Sequence, residues 1–172
     1  MLSKKKFRLA KLIIITGTPG TGKSTLAKIL AQKLNYERLD IHKHYKELAT
    51  TYNKQKQCYD LNFKKVLKLV KEKLKTTKKK GIILDSHIAH HLPKSVADLC
   101  IVLTCSNLKE LQKRLKKRKY SKEKIRENLD AEIFQICLTQ AQEKKHKIIT
   151  FDTSKSLDIN KMFLQIRKSS KH

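Results

Sequence analysis

The segment that decides the fold is IIITGTPGTGKSTLAKIL, residues 13–30. It begins as a run of β-branched and aliphatic residues and passes through a glycine-rich turn. It then continues into a stretch where Leu26, Leu30 and Leu34 repeat at helical spacing. A short apolar run of this kind is typical of a buried strand in a parallel sheet. The order strand, loop, helix is the context in which a glycine-rich turn binds phosphate groups.

The turn itself, GTPGTGKS at residues 17–24, fits the phosphate-binding pattern of two spaced glycines followed by Lys and Ser or Thr. Its glycines permit backbone conformations in which successive N–H groups converge on phosphate oxygens. Lys23 stands at the start of the helix, where the helix dipole already favours an anion. Ser24 offers a hydroxyl to a magnesium ion that also bridges phosphates. The loop residues predicted to bind nucleotide are Gly17, Thr18, Gly20, Thr21, Gly22, Lys23 and Ser24.

Length and composition narrow the class of protein. A chain of 172 residues is long enough to bury a core, and we expect residues 1–172 to form a single domain. No apolar run approaches the ~20 residues of a membrane span, so we predict no membrane association. The four cysteines show no metal-ligand spacing, which favours reduced thiols in an intracellular protein.

The formal net charge of +26 is concentrated in two segments. Residues 64–80 hold nine lysines against Glu72 alone, and residues 113–124 hold eight basic residues against Glu123. A polyanionic partner such as ribosomal RNA would explain this charge, because lysines near phosphates gain by counterion release. AT-rich coding sequence, with lysines on solvated helix faces, would explain it equally well. Aromatic residues are sparse and form no RNA-stacking motif, so both explanations stay open.

Strands alternate with helices along the chain, which predicts a parallel α/β sheet covered on both faces. The predicted strands are 12–16, about 38–39, 82–84, 99–103 and 147–151. The predicted helices are 22–34, 41–49, 63–74, one long helix over 125–136, and 159–166, with a polar connection at 50–57.

A second chemical motif, DSHIAHHLP at residues 85–93, follows an apolar strand. An acid at the carboxyl end of such a strand holds water on magnesium in phosphate-loop enzymes, and Asp85 fits that role, although an Asp here could also cap a helix. His87 lies two residues on and so points to the same side of an extended backbone. Zinc is disfavoured because no Cys or carboxylate nearby completes a four-ligand set. We expect His90 and His91 to be surface or packing residues.

Three motifs taken together resemble a known family. GTPGTGKST, LDSHIAHHLP and RLKKRKYSKEKIRENLDAEI (residues 114–133) are similar to those of the adenylate kinase isoenzyme 6 family. This family comprises archaeal and eukaryotic nuclear nucleoside-monophosphate kinase-like ATPases tied to small ribosomal subunit maturation. The first motif is widespread, whereas the Asp-x-His and the Arg-x-Tyr-Ser followed by Glu-Asn-x-x-Ala-Glu are more specific. The resemblance extends over about residues 12–153.

The resemblance implies a P-loop NTPase fold of the nucleoside-monophosphate kinase type: a five-stranded parallel sheet flanked by helices, an acceptor region at about 40–63 and a short lid at about 117–127. It also implies magnesium-dependent phosphoryl transfer from ATP to AMP or another nucleoside monophosphate, with ATPase activity and a role in small-subunit maturation. The alternative is a nucleotide-switched ribosome-assembly ATPase that binds a ribosomal protein or rRNA, with incidental kinase activity. A kinase acting on RNA ends has only the charge in its favour. The implied location is the cytoplasm, or the nucleus in a eukaryote.

Carried over residue by residue, the resemblance assigns Lys23, Asp85, His87 and Arg118 as catalytic and Ser24 and Asp85 as metal ligands. The implied contacts to ATP are Gly20, Gly22, Lys23, Ser24, Thr25 and Arg118. Arg114, Arg118 and Lys119 also form a basic cluster that can neutralise charge on a transferring phosphoryl group. Two departures from the family stand out: Lys119 replaces the glycine that usually follows the lid arginine, and residues 51–58, TYNKQKQC, lack the usual acidic residues.

Overall fold

A five-stranded parallel sheet forms the centre of the molecule, as the sequence predicted. The computed structural model describes residues 11–53 and 58–169. Strand order in the sheet is β2-β5-β1-β6-β7, and the two remaining strands pair as a separate antiparallel hairpin. The strands are β1 Leu12–Gly17, β2 Glu37–Asp40, β3 Ala49–Asn53, β4 Cys58–Leu61, β5 Ile82–Asp85, β6 Leu99–Thr104 and β7 Ile148–Asp152.

Helices cover both faces of the sheet, and short polar side chains start several of them. Asn62 accepts hydrogen bonds from the first backbone N–H groups of α3, and Asn107 and Ser121 do the same for α4 and α5. No helix in the described ranges is long and apolar enough to cross a membrane. The helices are α1 Lys23–Leu34, α2 Tyr45–Leu48, α3 Phe63–Thr76, α4 Leu108–Lys117, α5 Lys122–Ile133, α6 Ile136–Glu143 and α7 Ile159–Ser169, with 3-10 turns at Ile41–His44 and Ala89–His91.

Alternate residues of β1 serve two separate hydrophobic layers. Ile13 and Ile15 pack with residues of α1 and α7, whereas Leu12 and Ile14 pack with residues of α3 and α6. Both faces of a parallel sheet are buried, which is why β1 reads as a continuous apolar run. The parallel register sets Ile15 beside Asp85, so the carboxyl ends of β1 and β5 meet at one edge of the sheet.

Helices α4 and α5 share a third, smaller hydrophobic cluster. Its buried members include Leu111, Leu115 and Ile125, and Tyr120 and Leu129 pack against them. We call this set the α4–α5 cluster. The predicted lid, residues 117–127, therefore consists of the end of α4, the connection 118–121 and the first half of α5, and the two helices pack on each other.

Two predicted segments differ from the structure. The long helix expected over 125–136 is two helices, because the backbone turns into the left-handed region at Gln135, with φ of 50°. The polar connection expected at 50–57 contains most of β3, which pairs with β4 through contacts such as Tyr52 opposite Tyr59. Residues 54–57 lie outside the described residues. Polar strand residues that face solvent on both sides give no alternating apolar pattern, so the hairpin left no signal.

Candidate active site

The loop after β1 depends on glycine for both torsion and space. Gly17, Gly20 and Gly22 have φ of 136°, 93° and 90°, in the region that L side chains rarely adopt. A Cβ at Gly17 would collide with the carbonyl oxygen of Leu103, and a Cβ at Gly20 would lie 2.9 Å from Leu111 Cδ1. The loop therefore packs directly on β6 and on the α4–α5 cluster, and neither position tolerates a side chain.

The side chain of Lys23 is folded back onto this loop. Its Nζ donates to the carbonyl oxygens of Gly17 at 2.7 Å and Thr18 at 2.9 Å. Burial lowers the pKa of Lys23 to about 8; nearby Asp85 acts in the opposite direction, and Arg118 adds to the lowering. An ammonium has three N–H donors, so the loop carbonyls use two and leave a third for a phosphate oxygen.

Asp85, at the end of β5, is fully buried and held by an arginine that the sequence analysis missed. Its Oδ2 accepts from Arg38 Nε at 3.1 Å and Nη2 at 2.6 Å, and the same Nη2 donates to Asp40 Oδ2 at 2.8 Å. Asp85 Oδ1 is buried with no hydrogen-bond partner among the described residues. A buried carboxylate oxygen left in this way suits a hard cation or its bound water. Ser24, exposed in the first turn of α1, supplies a hydroxyl of the kind such a cation also takes.

The histidines of the second motif separate into two roles. His87 is half-buried, and burial together with Lys23 and His42 lowers its pKa to about 3, so its ring is neutral at pH 7. Its ring centroid lies 6.0 Å from that of His42. His90 is buried, with Nδ1 2.7 Å from Thr16 Oγ1 and Nε2 2.8 Å from Gln140 Oε1. These bonds fit the expected packing role of His90, and the described ranges contain no group of three metal-binding side chains.

Two cavities of similar size meet at the loop. The first, of about 620 Å³, lies between α1, the end of α4 and the residues after β7. The second, of about 600 Å³, lies between the loop, the hairpin and α5–α6. Gly20, Gly22 and Arg118 line both cavities. The structure thus offers two binding spaces with a common boundary of backbone amides and one guanidinium.

The predicted site residues fall around this boundary. Lys23, Ser24 and His87 line the second cavity with Arg118, and Thr21 and Thr25 line the first. Asp85 is absent from both linings because its side chain has no exposed surface. Arg118 follows the last residue of α4, and its N–H donates to Leu115 O at 3.1 Å.

Three further features were not predicted from the sequence. Arg114 was assigned only to a basic cluster, but it donates to Thr153 O at 3.0 Å and thereby joins α4 to the residues after β7. Glu132 is buried, and its Oε1 accepts from Cys105 N at 2.6 Å, which fixes α5 to the end of β6. A cluster of three tyrosines lines the second cavity: Tyr59 meets Tyr45 edge to face and Tyr52 at a tilt, with ring centroids 5.6 and 4.8 Å apart. Arg114 and Glu132 are single polar residues on helices, and neither they nor isolated tyrosines carry a spacing signal for these contacts. Glu132 belongs to the Glu-Asn-x-x-Ala-Glu motif, but the motif did not indicate its bond to Cys105.

Comparisons with known proteins decide the family. The profile of a family described as "AAA domain" matches residues 13–135. The Schizosaccharomyces pombe protein named "Adenylate kinase isoenzyme 6 homolog" is 40% identical over 149 residues, covering 85% of this chain and 83% of that protein. The protein of the same name from Dictyostelium discoideum is 37% identical over 151 residues, covering 86% of this chain and 84% of that protein. This chain belongs to the adenylate kinase isoenzyme 6 family.

Membership of this family confirms the predicted resemblance and places the chain among nucleoside-monophosphate kinase-like enzymes. A solved structure, deoxyadenosine kinase from M. mycoides with bound dATP, superposes with a TM-score of 0.60 at 18% identity, covering 90% of this chain and 98% of that one. At that identity the likeness concerns the fold alone. It agrees with the P-loop NTPase-like fold that the sequence predicted.

Proposed function

We propose that this protein transfers the γ-phosphoryl group of magnesium-bound ATP to a nucleoside monophosphate, with AMP as the acceptor. The observation that carries the proposal is the pair of cavities that share Gly20, Gly22 and Arg118. A phosphoryl transfer between two nucleotides needs two separate spaces whose phosphate ends adjoin. The names of the family relatives, which are adenylate kinase homologs, favour AMP among the acceptors.

The first cavity suits the donor. Leu26, Ile29 and Leu157 give it apolar walls on which a base can lie, and Arg114 and Arg118 stand where the phosphates would approach the loop. Arg114 is already oriented by its bond to Thr153. A bound ATP would therefore run from the apolar wall past Arg114 to the loop amides.

The second cavity suits the acceptor. Tyr52 and Tyr59 face each other across the hairpin, and His42 packs on Tyr45 with ring centroids 4.8 Å apart. Aromatic faces of this kind bind a nucleobase by stacking, with little dependence on which base it is. The hairpin thus supplies an aromatic surface on which the acceptor base can lie.

In this reaction the protein side chains form no covalent bonds; they position the nucleotides and neutralise charge. Lys23 and Arg118 would neutralise the charge that spreads over the transferring group, because Arg118 lines both cavities and Lys23 lines the second next to the shared Gly22. His87 is neutral and lines the acceptor side, where it can orient a water or an acceptor oxygen. His87 could orient either a water or Asp85. Asp85 already accepts its hydrogen bonds from Arg38, so His87 suits the orientation of a water better. Attack by such a water would account for ATPase activity.

The residues present fit a magnesium ion. Ser24 and Asp85 would hold it, Ser24 through its hydroxyl and Asp85 through the unpartnered Oδ1 or a water bound there. When bound, the ion would supply positive charge between the phosphates.

A second candidate function is a role in small ribosomal subunit maturation, in which nucleotide state controls binding to rRNA or a ribosomal protein. The observation in its favour is that the lysine-rich segment is solvent-facing. Lys64, Lys65, Lys68, Lys71 and Lys75 are all exposed on α3. An exposed row of lysines can contact several phosphates of an RNA.

The two functions differ in how ATP is consumed. If the protein is primarily a kinase, ADP should form much faster from ATP plus AMP than from ATP alone, with two ADP produced for each AMP consumed. A matched reaction with CMP in place of AMP measures acceptor preference. If ADP forms at the same rate with and without AMP, and AMP is not consumed, the kinase proposal is contradicted and the assembly ATPase is favoured.

A further inference from the structure

The carboxylate of Asp85 already has a positively charged partner. Arg38 lies on β2, the neighbour of β5, two residues before Asp40, which pairs with Asp85 in the sheet register. Arg38 directs both Nε and Nη2 to the same oxygen, Oδ2, and leaves Oδ1 without a hydrogen-bond partner among the described residues. Arg38 therefore binds only one of the two carboxylate oxygens. Oδ2 accepts both of its hydrogen bonds, and the buried Oδ1 accepts none from the described residues.

Burial makes this pairing matter. The side chain of Asp85 has 0% of its surface exposed and that of Arg38 has 19%, so solvent screens their attraction only partly. A carboxylate buried in this way without a counter-charge is strongly disfavoured. The guanidinium thus stabilises Asp85 in the free protein. The same positive charge repels any other cation that approaches the open oxygen.

A second carboxylate shares the positive charge of the Arg38 guanidinium with Asp85. Asp40 Oδ2 accepts from Arg38 Nη2 at 2.8 Å, so Arg38 is divided between two acids. Asp40 Oδ1 in turn accepts from the backbone N–H of His42 at 3.1 Å, which holds Asp40 in place at the start of the 3-10 turn. Arg38 therefore sits in a built ion-pair network, which distinguishes it from the exposed lysines of the surface.

We propose that Arg38 is a resident counter-ion of Asp85 that weakens the binding of a divalent cation at this carboxylate. The inference rests on the proposed use of a divalent cation with ATP at Ser24 and Asp85. Arg38 acts through Asp85 and is a positioning residue that sets metal affinity. A full metal site forms only when nucleotide phosphates add the negative charge that Arg38 offsets. The arrangement limits metal occupancy at Asp85 in protein that holds no nucleotide.

The test measures metal binding directly. Mn²⁺ is titrated into protein without nucleotide and into protein mixed with an equal concentration of the non-hydrolysable β,γ-imido analogue of ATP, and free Mn²⁺ is followed by its electron paramagnetic resonance signal. The Mn²⁺ bound by the analogue alone, titrated without protein, is subtracted. Arg38→Gln should bind Mn²⁺ about three- to tenfold more tightly than the parent protein. Arg38→Lys, which keeps the charge but loses the fork, should fall between the two.

The matched control is Lys73→Gln. Lys73 pairs with Glu37 of the same strand at 3.6 Å, so this change removes a positive charge close to β2 without touching Asp85. Its Mn²⁺ affinity should equal that of the parent protein. An equal gain in Lys73→Gln and Arg38→Gln, or an affinity in Arg38→Gln that is unchanged or weaker, overturns the inference.

Two outcomes separate this inference from the proposed function. If the parent protein with the analogue binds no Mn²⁺, both the metal-dependent function and the inference fail. If the parent protein binds Mn²⁺ and Arg38→Gln gains nothing, only the inference fails. Should Arg38→Gln not fold because Asp85 is left unpaired, Arg38→Lys decides: tighter Mn²⁺ binding supports the counter-ion role, and unchanged or weaker binding overturns it.

Discussion

The Nζ atom of Lys23 lies 2.7 Å from the carbonyl oxygen of Gly17, six residues earlier in the chain. The side chain of Lys23 therefore binds the backbone of its own phosphate loop. Its ammonium lies where it could also bind the oxygens of a phosphate in that loop. A second bond, to Thr18 O at 2.9 Å, keeps the side chain extended along the loop. Lys23 thus contributes both to the shape of the loop and to the charge that an anion would meet.

Replacing Lys23 by Met should lower phosphoryl transfer about 100- to 1000-fold, because one charged donor to the developing charge is lost while the volume is kept. ADP formation in a coupled assay measures the loss. Lys28→Met, on the exposed side of the same helix, is the control and should retain parent activity. Parent-level turnover in Lys23→Met would show that the loop does not act on phosphates.

ATP affinity should weaken as the pH rises above about 8. Burial lowers the pKa of Lys23 to about 8, so the ammonium is charged below this value and neutral above it. An anion binds the charged form, and the loss approaches about tenfold per pH unit well above the pKa. Isothermal titration of ATP between pH 7 and pH 9.5 measures it. The same series with Lys23→Met should be nearly flat; a parallel decline in both proteins would assign the effect to another group.

Tyr59→Ala should raise the KM for AMP about tenfold and leave the KM for ATP unchanged. Tyr59 packs between Tyr45 and Tyr52 in the second cavity, and loss of one aromatic platform weakens stacking of a base. Steady-state kinetics with each substrate varied in turn gives both constants. Phe134→Ala, at an exposed aromatic residue that lines neither cavity, should change neither KM. If Tyr59→Ala raises the KM for ATP more than the KM for AMP, the second cavity binds ATP and the first binds AMP.

Lys119→Gly should stabilise the protein by about 0.5–1 kcal/mol. Lys119 has φ of 57°, a left-handed conformation that costs a residue with a Cβ but not glycine, and part of the gain is offset by the greater freedom of glycine in the unfolded chain. Urea unfolding followed by circular dichroism gives the difference. Lys113→Gly, on the exposed side of α4, should instead destabilise by about 1 kcal/mol. A loss of stability in Lys119→Gly would mean that the lysine side chain makes contacts that outweigh the strain.

Contact with RNA should depend on salt and on nucleotide if the lysines of α3 form a true binding surface. For duplex RNA contacts of the kind measured on DNA, the log–log slope of affinity against salt approaches about −0.9 per phosphate neutralised, and about −0.7 for single strands. Replacing Lys64, Lys68 and Lys71 by Gln should reduce the magnitude of this log–log slope by about 2–3 units. Lys28, Lys33 and Lys161, replaced together, provide the control for net charge.

The decisive comparison is competition near physiological salt between small-subunit rRNA and an unrelated RNA of equal length, with and without ATP. An assembly factor should prefer the former in a way that ATP alters. If the protein binds both RNAs equally and ATP changes neither affinity, the lysines are better explained by AT-rich coding sequence than by RNA binding.

The three middle strands of the sheet, β1, β5 and β6, could be predicted because they are buried on both faces. β1, β5 and β6 are fully or almost fully buried, and their uninterrupted aliphatic runs indicate strands in a parallel sheet without further information. The edge where Gly17 and Asp85 meet follows from parallel pairing alone. For the same reason the sequence alone indicates that the loop and Asp85 lie near each other.

The pairing of Arg38 with Asp85 could not be predicted, because the two residues are 47 positions apart and meet only through strand order. The helix break at Gln135 was hidden for a different reason. Ile133 and Ile136 continue the spacing of a single helix, yet both are exposed, so the periodicity there reflects no buried face. A one-residue turn in the left-handed region has no apolar signature.

The close approach of Gly20 to Leu111 and Leu115 has a consequence for how the molecule opens. These leucines are fully buried, and they serve the α4–α5 cluster and the floor of the phosphate loop at once. Separation of α4 from the loop would expose apolar surface on both sides, so the two segments form one cooperative unit in local unfolding. Amide hydrogens of α4 and of the loop should therefore exchange with solvent at matched rates, and the whole unit, more than any single hinge residue, determines how often the nucleotide can enter or leave.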